Sequence, residues 1–236
     1  MIKPHSIGTA ISGTLTILTG ITLLITASVC TSDIHFIRDG WNEIYSLSIY
    51  SIIIGGLTVI LTIGFLYVTT RNFPALTILF SILILLVFIL TIVCIVMFAV
   101  ALNDLKDDSF TYTDNLMRNY SNSNTAISSK NLLGTIQKSL RCCGTVEAAD
   151  WVVKYPDGKS TPDTCCHVMV PGCGNYSLNL KDTIFLRGCA NSLYSYIRED
   201  VIAILVFNTI LAILIAISAI FGFITEGYIR QQYELM

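Results

Sequence analysis

Apolar residues in this chain gather into four long blocks that contain no Asp, Glu, Lys or Arg: Pro4 to Ser32, Ile44 to Thr70, Asn72 to Asn103 and Val201 to Thr225. Each is longer than the roughly 20 residues a helix needs to cross a bilayer. The pattern predicts four membrane-spanning helices, the first three over about Ile7 to Val29, Leu47 to Thr69 and Ala75 to Leu102. The first block follows Lys3 and ends near Ala27 and Ser28, as a signal peptide would. Its apolar core exceeds the roughly 7 to 15 residues of a signal segment, so it reads as a span. Gly13, Gly20 and Ala27 recur every seventh residue and predict a stripe where a neighbouring backbone approaches closely. The Ser and Thr residues of the spans can bond their own backbone carbonyls and need not line a pore. Arg71 to Pro74 is a tight turn between antiparallel helices, with Pro74 suited to a first helical position.

The remaining polar sequence divides the chain into spans one to three (residues 1–102), a large loop (103–200), and the fourth span with its tail (201–236). In the loop, residues 104 to 120 extend the third helix and Asn119 to Thr125 form a turn. An apolar stripe of Ile127, Leu133, Ile136 and Leu140 predicts a helix over Ala126 to Arg141. A last loop helix, Leu178 to Glu199, is expected to pack on that stripe and run into the fourth span. Between them Pro156, Pro162, Pro171 and several glycines predict irregular backbone. The fold class is therefore all-α, a four-transmembrane-helix bundle with a large, disulfide-stapled, mostly helical outer loop.

Composition agrees with the membrane reading: 53% of residues are hydrophobic and 13% charged. The net charge of −2 and the lack of a basic patch exclude nucleic acid as a partner. Orientation follows from Lys3, Arg71 and Arg230 on one side against Arg38 on the other, which places both termini in the cytosol. The sequons at Asn119 and Asn175 and the loop cysteines suit the opposite, oxidising side.

Six of the eight cysteines, Cys142, Cys143, Cys165, Cys166, Cys173 and Cys189, lie in the loop. Zinc is the competing use for them, but doublets without a repeated C-x-x-C favour disulfides. Excluding the two adjacent pairs leaves ten of the fifteen pairings, and spacing alone does not choose among them. No H-E-x-x-H, G-x-S-x-G or phosphate-cradling loop is present, and His5, His35 and His167 lie in separate segments, so no enzyme, metal site or cofactor is expected.

Cys142-Cys143-Gly144, then Asp150-Trp151, then Pro162-Asp163-Thr164-Cys165-Cys166, then Gly188-Cys189 before a final span resemble the tetraspanin signature. The resemblance covers the whole topology. It implies the pairs Cys142 with Cys189 and Cys143 with Cys165, and by remainder Cys166 with Cys173. It also implies a non-catalytic membrane organiser that binds other membrane proteins and tetraspanins, and a lipid-accessible cavity that holds a sterol such as cholesterol. A small transporter or channel is the alternative, opposed by charge-free spans. The chain departs from the family pattern in having no Asn in span one and only Thr91 and Cys94 as polar candidates in span three. With Asn208 in span four, these predict a thin interhelical polar network. Cys30 and Cys94 fall towards the outer side, so palmitoylation at cytosolic helix ends is not expected.

Trp151, Val152, Val153 and Tyr155 are the candidate partner contacts in the loop, with Trp151 alternatively capping the loop core. The C-terminal Tyr233-Glu234-Leu235-Met236 has the Tyr-x-x-bulky form read by clathrin adaptors, with Tyr233 and Met236 filling two pockets. That ending resembles the lysosome-enriched tetraspanins and implies cycling between plasma membrane and late endosomes, with release on extracellular vesicles.

Overall fold

The computed structural model describes residues 4–34, 42–71, 73–121 and 126–234. Lys3, Arg38, Trp41, the predicted turn around 122–125, Leu235 and Met236 lie outside the described residues. Among the described residues five α-helices follow in order: α1 Pro4–Ile34, α2 Asn42–Thr70, α3 Pro74–Arg118, α4 Ala126–Leu140 and α5 Cys189–Glu234. Four of them, all but α4, are long and apolar enough to cross a membrane. The 45 residues of α3 and the 46 of α5 far exceed a single span, because their polar continuations keep the helix going beyond the apolar block. The chain divides into two compact units, one of residues 1–35, 41–100 and 200–236, the other of residues 36–40 and 101–199.

In the first unit, α1 and α2 pack where the small residues predicted. A Cβ on Gly55 would come within 3.1 Å of the Gly20 carbonyl oxygen, a tighter contact than side chains ordinarily make, so glycine here eases the close approach of the two backbones. The spans' hydroxyls mostly donate to their own helix, as Thr16 does to the Ser12 carbonyl at 2.8 Å and Thr58 to Ile54 at 2.7 Å. The expected thinness of the interhelical network needs correction, because the same small groups also bridge helices. Thr9 meets Thr225 and Thr16 meets Ser218, each at 3.2 Å, between α1 and α5. Asn208 of α5 donates to Ser51 at 3.3 Å and to the Ile204 carbonyl at 3.0 Å. Ser51 also contacts the Cys94 thiol at 3.6 Å, and Cys30 contacts Ser48 at 3.5 Å. Cys30 and Cys94 are both buried free thiols.

The second unit is held by three disulfides: Cys142–Cys189, Cys143–Cys165 and Cys166–Cys173. All six loop sulfurs are thereby covalently paired. The α4 helix lies within the predicted bounds, but its stripe needs correction at one end. Leu133 and Ile136 are buried, while Ile127 is 78% exposed. Gln137 completes the buried face and accepts a hydrogen bond from Thr164 at 2.5 Å. The second correction concerns Leu178 to Gly188, which is not helical. It forms short 3-10 turns at Ser177–Asn179 and Lys181–Thr183, then extended backbone that bridges Ile184 to Cys166 and Arg187 to Glu147. The helix begins only at Cys189, because Gly188 passes so close to the Val146 carbonyl that a Cβ there would collide with it.

Candidate partner-binding surface

The surface is built outward from the Cys142-Cys143-Gly144 corner. The backbone of Gly144 has φ +72 and no room for a Cβ beside the Glu147 carbonyl, so glycine is required on both grounds. Beyond it, the Asp150 carboxylate accepts the backbone N–H groups of Thr145, Val146 and Glu147 at 2.9, 2.7 and 3.2 Å. Three donors converging on one anionic oxygen fix the turn that leads into the 3-10 segment Ala148–Val153.

That segment turns Trp151 inward and its neighbours outward. Trp151 is fully buried among Leu133, Cys143, Cys165 and Ile184, so it leaves the list of contact candidates and takes the alternative reading, the core of the module. Tyr120 meets it edge-on at 4.8 Å between ring centroids, and Tyr155 lies tilted at 5.9 Å. Tyr155 is half-buried and hydrogen-bonded to Tyr120; burial pushes both phenols' pKa values up, so the aromatic cluster carries no charge at neutral pH. Val152 and Val153 are exposed, Val153 to 84%.

Val153 stands on the rim of a groove of about 500 Å³ that Phe110, Met117 and Val146 also line. Its polar edge holds Lys154 and the ion pair in which Arg118 donates to Asp114 at 2.6 Å. Phe110 and Val146 are exposed apolar side chains that the sequence reading did not select. Phe110 and Met117 stand seven residues apart on α3, a helical spacing that offered a signal for them. A second exposed apolar group, Val168, Met169 and Val170, occupies the ring closed by Cys166–Cys173. Asp163 braces that ring by accepting the N–H groups of Gly172 at 2.9 Å and Gly174 at 2.8 Å.

The sequon asparagines Asn119 and Asn175 are both exposed. Ser177, the third residue of the second sequon, is buried and bonded to Thr161 at 2.9 Å. Tyr233 falls within the last turn of α5, which ends at Glu234.

Four bilayer-length apolar helices with a triply stapled module inserted between the third and the fourth define a multi-pass membrane protein. The tetraspanin family model matches residues 6–225, and the chain belongs to that family. It is 30% identical over 122 residues to the CD63 antigen of Oryctolagus cuniculus, a match covering 51% of this chain and 49% of that protein. It is also 29% identical over 168 residues to Tetraspanin-4 of Mus musculus, covering 69% of this chain and 67% of the other. The CD151 antigen of Mus musculus is 27% identical over 165 residues, covering 66% and 64%. The chain thus spans about half the length of the CD63 antigens it matches.

Proposed function

We propose that the protein is a non-catalytic organiser that gathers other membrane proteins laterally and through the stapled module. The observation that carries this reading is the open apolar groove of Phe110, Val146 and Val153, mounted on a core that two disulfides and Trp151 make rigid. Exposed apolar side chains around a fixed concavity are what a protein partner buries. The transporter alternative is opposed by the spans, whose blocks contain no Asp, Glu, Lys or Arg to serve a solute path. Saturable solute uptake by the purified chain in liposomes would displace the organiser reading.

The cavity lined by Thr16, Thr58, Thr62 and Ser218 holds about 10 Å³, room for one water and not for a sterol. Sterol binding within this part of the bundle therefore requires its helices to separate.

The termini face the cytosol and the module faces outward in this account. Glycosidase treatment of wild type, Asn119→Gln and Asn175→Gln is expected to give mobility shifts of two, one and one glycans. No shift in any of them argues for the opposite orientation.

The C-terminal Tyr233-to-Met236 motif directs the protein to clathrin adaptors, and hence between plasma membrane and late endosomes. Because Tyr233 lies in the last helical turn, adaptor binding has to unwind that turn, a modest demand at a fraying helix end. Tyr233→Ala is expected to raise the surface fraction and slow internalisation; unchanged uptake would remove the motif from the account.

A further inference from the structure

The module has a second concavity, open to solvent and of about 410 Å³, lined by Arg141, Lys181 and Arg187 with His167, Phe185 and Asp182. No basic run in the sequence announces it, because its three cations are far apart along the chain. Folding brings them together: Cys142–Cys189 ties the segments after Arg141 and Arg187, and the Cys143 N–H donates to the Arg187 carbonyl at 2.9 Å. Over residues 101–199 basic and acidic residues are equal in number, so the positive field here is local. Among the described residues none of the three cations is ion-paired with a carboxylate. The Arg187 guanidinium is steadied instead by donating to the Ser195 hydroxyl at 3.0 Å.

We infer that this groove binds a sulfated glycosaminoglycan chain. Three cations against the single carboxylate of Asp182 in an open trough match a polymer with regularly repeated sulfates, and the field they focus raises the local concentration of a polyanion. Phe185, braced edge-on by His167 at 4.4 Å, offers an apolar face to the C–H side of a sugar ring. An acidic peptide is the less suited occupant, because peptide recognition on extended backbone draws on main-chain hydrogen bonds. Here the extended segments spend theirs on each other: the Phe185 N–H donates to the Cys165 carbonyl and the His167 N–H to Thr183, both at 2.9 Å. Occupancy in the cell rests on the outward orientation proposed above, whereas binding by the purified protein does not.

Arg141 provides a test that separates binding from folding. It stands just past the end of α4 with φ +50, and the next N–H, of Cys142, donates back to the Gln137 carbonyl at 3.1 Å. This is the helix-ending position where glycine is most at ease, so Arg141→Gly removes the cation while relieving the backbone. The full chain in nanodiscs of zwitterionic lipid is titrated with a heparin octasaccharide, its desulfated form, and a poly-glutamate of equal charge. Heparin is expected to bind with an affinity that falls as salt rises, and the other two to bind at least about tenfold more weakly, as they would without sulfates positioned by the trough. Each cation lost is expected to weaken heparin binding about two- to fivefold, so Arg141→Gly with Lys181→Ala loses about tenfold while Lys106→Ala with Lys159→Ala changes little. Absence of heparin binding, an equal loss in the two double variants, or poly-glutamate binding as tightly as heparin would each overturn the assignment.

Discussion

Replacing Cys142 or Cys189 by Ser is expected to hold most of the protein in the early secretory pathway, with the partner cysteine open to thiol-specific label. The bond closes a separation of 47 residues and joins the foot of α4 to the first residue of α5. Loop-entropy arithmetic assigns a closure of that length about 4 kcal/mol, a large share of the roughly 5 to 15 kcal/mol that stabilises a domain. It also fixes the point at which the extended backbone before Gly188 becomes helix. The same arithmetic ranks the other pairs below it, at about 3.4 kcal/mol for Cys143–Cys165 and about 2.4 kcal/mol for Cys166–Cys173. The glycosidase-resistant, surface-delivered fraction should therefore rise in the order Cys142→Ser, Cys143→Ser, Cys166→Ser. A reversed order would show that closure length does not govern the module's stability.

Trp151→Ala is expected to be comparably damaging, at about 3 to 5 kcal/mol, the usual cost of emptying a large aromatic site in a packed core. The indole fills the space between Tyr120 and Tyr155 and touches the Cys143–Cys165 staple's surroundings. Its buried N–H has no hydrogen-bond partner among the described residues, so Trp151→Phe gives up volume without breaking a bond seen there and should keep most of the stability. Limited proteolysis of the two variants under non-reducing conditions measures the difference. Rapid cleavage within residues 145–177 in the alanine variant and near-normal resistance in the phenylalanine variant are expected. Equal sensitivity in both would mean that the indole does more than fill space.

How much of this was legible in the sequence varied with the range of the interaction. The spans were readable because a bilayer imposes length and apolarity on each helix separately. The α4 helix was readable from Leu133 and Ile136, which stand at helical spacing, while Ile127, nine residues before Ile136, falls on the opposite helix face and is exposed. Residues 178–188 misled because Leu178, Ile184 and Leu186 offer apolar positions to a helix. The backbone there is instead drawn out by Gly188 against the Val146 carbonyl and by the bridges to Cys166 and Glu147. The hydroxyl links between spans were invisible for a related reason. A Ser or Thr that bonds its own helix shows no sign in sequence of the second partner across the interface. The groove joins Phe110 to Val146 and Val153, residues that only the staples and the turn around Asp150 bring to one surface.

Cross-linking from the groove in intact cells decides whether this surface holds partner proteins. A photoreactive residue is placed at Val153 on the rim, and a control is placed at Ile127, which is equally open to solvent at 78% exposed but lies on α4. Discrete adducts with other membrane proteins are expected from position 153, few from position 127, and loss of the first set when Phe110→Glu and Val146→Glu are introduced into a module whose disulfides remain intact. Adducts equally abundant from both positions, or unaffected by charges in the groove, would contradict a partner-binding role for the groove.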